Sequence, residues 1–126
     1  MAAALTAKQY ARARRKVRTR KLNEPPRLTV TEEVFNAASH GVGAALALAG
    51  MILLLVRSGG PLEIMASCFY GISLFFMMLM SCLYHAMPTG SRVKRLWRRF
   101  DYTSIYLLIG GTFAPIFLVY LGNRQG

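Results

Sequence analysis

The sequence predicts an all-α fold, a polytopic bundle of transmembrane helices. Two observations predict it. Apolar residues make up 54% of the 126-residue chain, yet Lys and Arg number 16 against 5 Asp and Glu. That charge is segregated rather than spread: nine basic residues precede Leu28, five lie between Arg92 and Arg99, and Arg57 and Arg124 stand alone. A disordered chain or an ordinary basic soluble domain is excluded by the apolar content. Charge blocks alternating with apolar blocks mark a multi-pass membrane protein.

Residues 1–31 form a basic tail and residues 32–126 a membrane domain. A hydrocarbon core about 30 Å thick needs roughly 20 apolar residues in helix, and three stretches supply them. The first helix is expected at about 34–56, with Leu46, Leu48 and Met51 to Val56 at its far end. The second is expected at about 62–86, through Phe69, Leu74, Phe75, Phe76 and Met77 to Met80. The third is expected at about 101–121. A secretory signal peptide does not fit, because the first apolar run begins too late and runs too long. Ser58-Gly59-Gly60-Pro61 and Pro88-Thr89-Gly90 break the runs. Pro61 suits a first helical position with Glu63 in the first turn, and Asp101 is placed to cap the third helix. Pro115 leaves the carbonyl of Gly111 without its helical donor, which predicts a kink or a polar contact there. Cys68 and Cys82 lie fourteen residues apart on one helix, about 21 Å along its axis, beyond disulfide reach.

Three readings fit the tail from Lys8 to Arg27. The first is a polybasic segment held by anionic lipid headgroups, worth on the order of 1 kcal/mol per residue near the surface. The second is an organelle transit peptide, since no acid precedes Glu24, although the tail is poor in Ser. The third, a nucleic-acid arm, lacks interleaved aromatics apart from Tyr10, and no nucleic-acid partner is expected. Pro25-Pro26 separates the tail from the membrane domain. The Lys/Arg bias of the short segments puts the amino terminus in the cytoplasm, the Arg92–Arg99 segment inside, and Arg57 and Arg124 outside.

With that topology, the first helix starts inside, the second ends inside and the third starts inside. Polar groups at those three ends share one depth. Asn36 and His40 stand on one face of the first helix, Ser81 and His85 four apart on the second, Asp101 and Ser104 on the third. Polar groups in a membrane are costly and therefore candidates for function, so these six residues form a candidate layer. Taken singly, each has a simpler role, as cap, interfacial group or interhelical contact. His40, His85 and Asp101 are ligand types for zinc, with Ser81 able to orient an imidazole, and zinc lowers the pKa of bound water to about 7. With two histidines and no pair at i, i+4, the ligand set is incomplete on this sequence.

Three ordered runs carry a family resemblance. Glu32-Glu33-Val-Phe-Asn36-Ala-Ala-Ser39-His40-Gly41-Val-Gly43, Ser81-Cys-Leu-Tyr84-His85-Ala-Met-Pro88 and Arg99-Phe-Asp101-Tyr-Thr-Ser-Ile-Tyr106 to Pro115 resemble the hemolysin III family. That family sits with the progestin and adipoQ receptors and, more distantly, the alkaline ceramidases. The resemblance implies seven helices with a cytoplasmic amino terminus, in the plasma membrane. It also implies a zinc ion with His85 as its second-helix ligand, with Ser81 and Asp101 beside the metal-bound water as the catalytic pair. Two further zinc histidines are implied on the last helix, as His-x-x-x-His. Tyr102 and the run Gly111-Thr-Phe-Ala-Pro115 depart mildly from the family pattern. Three of seven helices are present, so the chain reads as an amino-terminal, truncated form without a complete zinc set in cis, inactive alone.

Three functions follow from the resemblance: a zinc-dependent membrane hydrolase of lipid amides or related bonds, a pore-forming or cytolytic protein, and a receptor-like regulator without catalysis. Partners are membrane lipids and, through the faces of Gly43, Gly50 and Gly111, further copies of the chain. The charge asymmetry sets a test of orientation. In intact cells, with Cys68 and Cys82 replaced by alanine, Arg95→Cys should resist an impermeant thiol reagent while Gly60→Cys labels. Labelling at the inner position would overturn the orientation.

Overall fold

The computed structural model describes residues 6–22 and 28–122. Pro25-Pro26, read above as a separator, and Arg27 and Arg124, counted in the charge asymmetry, lie outside the described residues.

The tail carries a helix, α1 (Ala7–Leu22), opened by a reciprocal cap. The Thr6 amide donates to Gln9 Oε1 at 2.9 Å, and the Gln9 amide to Thr6 Oγ1 at 3.4 Å. Residues 6–19 are exposed all round, the mark of a helix with no apolar stripe to bury. Helix α2 (Val30–Arg57) starts with a full capping box at Thr29. The Glu32 amide reaches Thr29 Oγ1 at 3.3 Å and the Thr29 amide returns to Glu32 Oε2 at 2.8 Å. This Thr-x-x-Glu signal places the helix start four residues before the apolar stretch that defines the span.

At the far end Ser58 Oγ meets Ser67 Oγ at 3.1 Å, tying the end of α2 to the next helix. Helix α3 (Pro61–Ala86) has Pro61 in its first turn, and Glu63 Oε2 accepts the Gly59 amide at 2.6 Å. Both roles were expected from the sequence. After Met87 the chain reverses through Gly90 at φ +86°, a left-handed conformation that suits glycine.

Helix α4 (Arg92–Pro115) corrects one expectation. Its cap is Ser91, whose Oγ accepts the Lys94 amide at 3.0 Å, and Asp101 lies well inside the helix. Apolar content marks where the span begins, whereas Arg, Lys and Leu are helix formers that start winding in the interface. The helix and its extension reach from Arg92 to Leu121, 30 residues, more than the roughly 20 a bilayer needs. At Pro115 the backbone ladder loses a donor, and Ile116–Leu121 continues as a wider π-helical segment. The predicted disturbance takes that form. Cys68 and Cys82 are free thiols.

Among the described residues, three helices, α2, α3 and α4 with its extension, are long and apolar enough to cross a membrane. Helix α3 is central, packed antiparallel against α2 on one side and α4 on the other. The core between them is small. Its buried apolar residues, among those described, are Ala44, Ala47, Ala66, Met80 and Tyr84, while Ile52, Leu53, Phe69, Tyr106 and Phe117 are exposed. That inversion is expected where lipid replaces water: apolar side chains gain little by leaving hydrocarbon, and small residues let backbones approach.

At Gly111 α4 lies close against α3. A Cβ there would collide with the Ser73 side chain and lie 2.9 Å from the Phe69 carbonyl oxygen. Gly43 already packs on Met78 of α3, while Gly50 faces open space. Two of the three glycines proposed for self-association are thus used within the chain. Gly111→Ala should lower stability by about 1–3 kcal/mol through overpacking. Gly110→Ala, with nothing within 4 Å of the added methyl, should be level or gain slightly. Thermal unfolding of both variants in mild detergent measures the difference. Equal effects at the two positions would show that the α3–α4 approach is loose.

Candidate functional site

At the end of the bundle where α2 starts, α3 ends and α4 starts, ionisable side chains from all three helices meet. Their centre is Glu33, on the first turn of α2 and 7% exposed. One carboxylate oxygen, Oε1, accepts Lys94 Nζ of α4 at 2.7 Å; the other, Oε2, stands 2.8 Å from His85 Nδ1 of α3.

Lys94 is fully enclosed, at 0% exposure. A buried ammonium needs its donors used, and here it also donates to the Met87 carbonyl at 3.0 Å. Its Nζ lies 4.9 Å from the centroid of the Tyr84 ring, an added cation–π contact. The lysine therefore pins the start of α4 to the first turn of α2 and to the turn after α3.

The His85 ring is confined from three sides. Its Nδ1 faces Glu33, the Tyr84 ring lies with its centroid 4.7 Å away, and the His40 ring meets it edge-on with centroids 5.8 Å apart. Its other nitrogen, Nε2, enters no hydrogen bond among the described residues. The Nδ1 atom of His40 is buried and has no hydrogen-bond partner among the described residues.

Of the six residues in the expected layer, the structure brings His40 and His85 together and buries Ser81 one turn before His85 on α3. Ser104 is buried too, but its hydroxyl donates to the Asp101 carbonyl of its own helix at 2.7 Å. Asn36 accepts Ser39 Oγ on its backbone carbonyl at 3.1 Å. Neither bond crosses between helices. Among the described residues, no group of three or more His, Cys, Asp and Glu stands close enough to hold a metal ion.

Glu33 and Lys94 lie outside the candidate layer, although spacing held a signal for Glu33. Glu33, Asn36 and His40 follow at three and four residues, so Glu33 shares the face that carries His40. Lys94, Ser104 and Gly111 are the buried residues of α4; Ser104 and Gly111, seven apart, share a face, and Lys94, ten before Ser104, sits about 80° round from it. The place of Lys94 is legible only once Arg92–Arg99 is read as helix rather than loop.

Residues 28–125 match the family described as haemolysin-III related. The chain is 37% identical over 100 residues to Hemolysin-3 of Bacillus cereus, covering 77% of this chain and 45% of that protein. It is 31% identical over 101 residues to the Hemolysin-3 homolog of Bacillus subtilis (strain 168), covering 78% of this chain and 47% of that protein. The chain thus spans about half the length of the curated relatives it matches. No solved structure matches.

The network makes a stability prediction with an internal control. Glu33→Ala leaves the Lys94 ammonium buried without its counter-charge and should cost about 3–5 kcal/mol. Replacing both partners, Glu33→Leu with Lys94→Met, removes the unpaired charge and should recover most of that loss. Thermal unfolding of the single and double variants reads the difference. A double variant as unstable as Glu33→Ala would mean that the pair is not what carries the cost.

Proposed function

Starting from the chain's membership of the haemolysin-III-related family, we propose that it is part of a plasma-membrane protein whose inner polar layer forms half of a hydrolase site. The full-length protein acts on lipid amides or related bonds, with the remaining groups supplied by helices outside the 126 residues. The observation that carries the reading is the arrangement around His85. One ring nitrogen is engaged by a buried carboxylate; among the described residues, the other enters no hydrogen bond and a second imidazole nitrogen, that of His40, is buried nearby without a partner. An imidazole held in this way suits proton transfer or ligation.

Ser81 and Asp101 are the further candidates, placed on the helices that flank the layer. Zinc, the cofactor that the resemblance implies, needs at least three protein ligands. The described residues do not gather three, and the remaining ligands are proposed to come from the rest of the full-length protein. The part of this chain is to supply and orient His85.

The amino terminus is proposed to be cytoplasmic. The many basic residues of the tail and of the start of α4 then face anionic headgroups, while Arg57 stands alone at the opposite end of α2. An all-round polar α1 suits such a surface, where attraction is electrostatic and needs no apolar stripe. Self-association is proposed through the α2 face that carries Gly50.

Elemental analysis tests the site. The purified 126-residue chain should retain little zinc after dialysis, and a full-length relative should retain about one ion per chain. Replacing the relative's counterpart of His85 by alanine should lose it. A full-length protein without zinc would end the zinc-hydrolase reading, and stoichiometric zinc on the short chain would show that His40 and His85 already share a site.

A further inference from the structure

We infer that Glu33, anchored by Lys94, is a positioning residue that holds His85 in the Nδ1–H tautomer and keeps Nε2 as a bare lone pair. The functional use of that lone pair rests on the reading of His85 given above; the positioning itself rests on geometry.

A carboxylate only accepts hydrogen bonds, so the 2.8 Å contact between Glu33 Oε2 and His85 Nδ1 requires a proton on Nδ1. The opposite oxygen is occupied by Lys94 at 2.7 Å. Lysine and glutamate already balance in charge, so the imidazole need not be cationic to complete the network. Neutral His85 with its proton on Nδ1 has its lone pair on Nε2.

Lys94 matters to the direction of this contact as well as to its charge. Its ammonium is fixed by the Met87 carbonyl at 3.0 Å and by the Tyr84 ring, and it is fully enclosed. A carboxylate tethered at Oε1 to so rigid a cation has little freedom to turn Oε2 away from the imidazole. Met87 and Tyr84 flank His85 in sequence, so the same lysine that holds the carboxylate also holds the segment bearing the ring. His40 and Tyr84 limit rotation of the ring itself. The arrangement matches the general logic by which a carboxylate behind a histidine selects the nitrogen presented in front.

The test is ¹⁵N NMR of the 126-residue chain labelled in its histidine rings, in detergent micelles at neutral pH. The chain has two histidines, and His40→Gln assigns the signals. His85 should show a protonated Nδ1 and an unprotonated Nε2. In Glu33→Gln, whose side chain offers both an acceptor and a donor, the single form should give way to a mixture of both tautomers. A purely structural glutamate would lower the melting temperature on substitution and leave the ring signals unchanged, which would overturn the inference. Finding the neutral Nε2–H tautomer in the unsubstituted chain would overturn it without any variant, so misfolding of Glu33→Gln does not shield it. Zinc content of the full-length relative is a separate measurement. Loss of zinc with the tautomer intact removes the hydrolase reading alone, and the reverse result removes the positioning alone.

Discussion

One carboxylate ties the three membrane helices together. Glu33 takes a lysine from α4 on one oxygen and a histidine from α3 on the other, and the neighbouring groups are arranged to make that affordable. Lys94 could not be enclosed without a counter-charge, and Glu33 could not sit beneath the surface without donors for both oxygens. The two requirements meet at the mouth of the bundle, where the first turn of α2, the last turn of α3 and the first turn of α4 converge. The Ser91 cap belongs to the same arrangement, because it winds the chain into helix in time to place Lys94 on the inner face.

Away from that end, the helices are held by closeness rather than by bulk. Lipid offers large apolar side chains nearly the environment that a protein core would offer, so burial of leucine and phenylalanine is a weak force between helices. The structure accordingly turns its large residues outward and places Ala44, Ala47, Ala66, Gly71, Gly111, Ser67, Ser73 and Ser104 between the helices. A methyl at Gly71 would collide with the Met51 side chain, and one at Gly111 with Ser73. Ser73 donates to the Tyr70 carbonyl at 2.9 Å and so satisfies itself within its own helix. Small hydroxyl residues can therefore sit at such contacts without needing a partner across the interface.

The polar end and the small-residue seam have different consequences. The seam sets how near the helices lie, and with that the distance over which Lys94 must reach Glu33. The polar end sets chemistry, because it fixes which nitrogen of His85 is engaged. His40 stands between the two roles: its ring packs against His85 while its own Nδ1 finds no hydrogen-bond partner among the described residues. A buried polar atom left in that state is costly.

The sequence by itself determined the all-α class, the number and rough position of the spans, the breaks at Pro61 and Pro88, and the family. Each depends on local composition: twenty apolar residues cross a bilayer whatever their neighbours, and Pro and Gly interrupt a ladder wherever they stand. It also put His40 and His85 at the same end of the bundle, where their rings meet, because helical spacing and antiparallel neighbours suffice for that. Tertiary structure decided the rest. A run as basic as Arg92–Arg99 reads as a loop until Ser91 is seen capping it, since apolar periodicity reports the span and not the helix that overhangs it. Glu33 reads as an ordinary first-turn acid until a lysine 61 positions away is found on its carboxylate. Asp101 reads as a cap until the helix is seen to pass through it. Capping, burial and ion pairing between distant residues depend on how three helices approach each other, and that approach is set by small residues whose sequence signal is little more than the absence of a side chain.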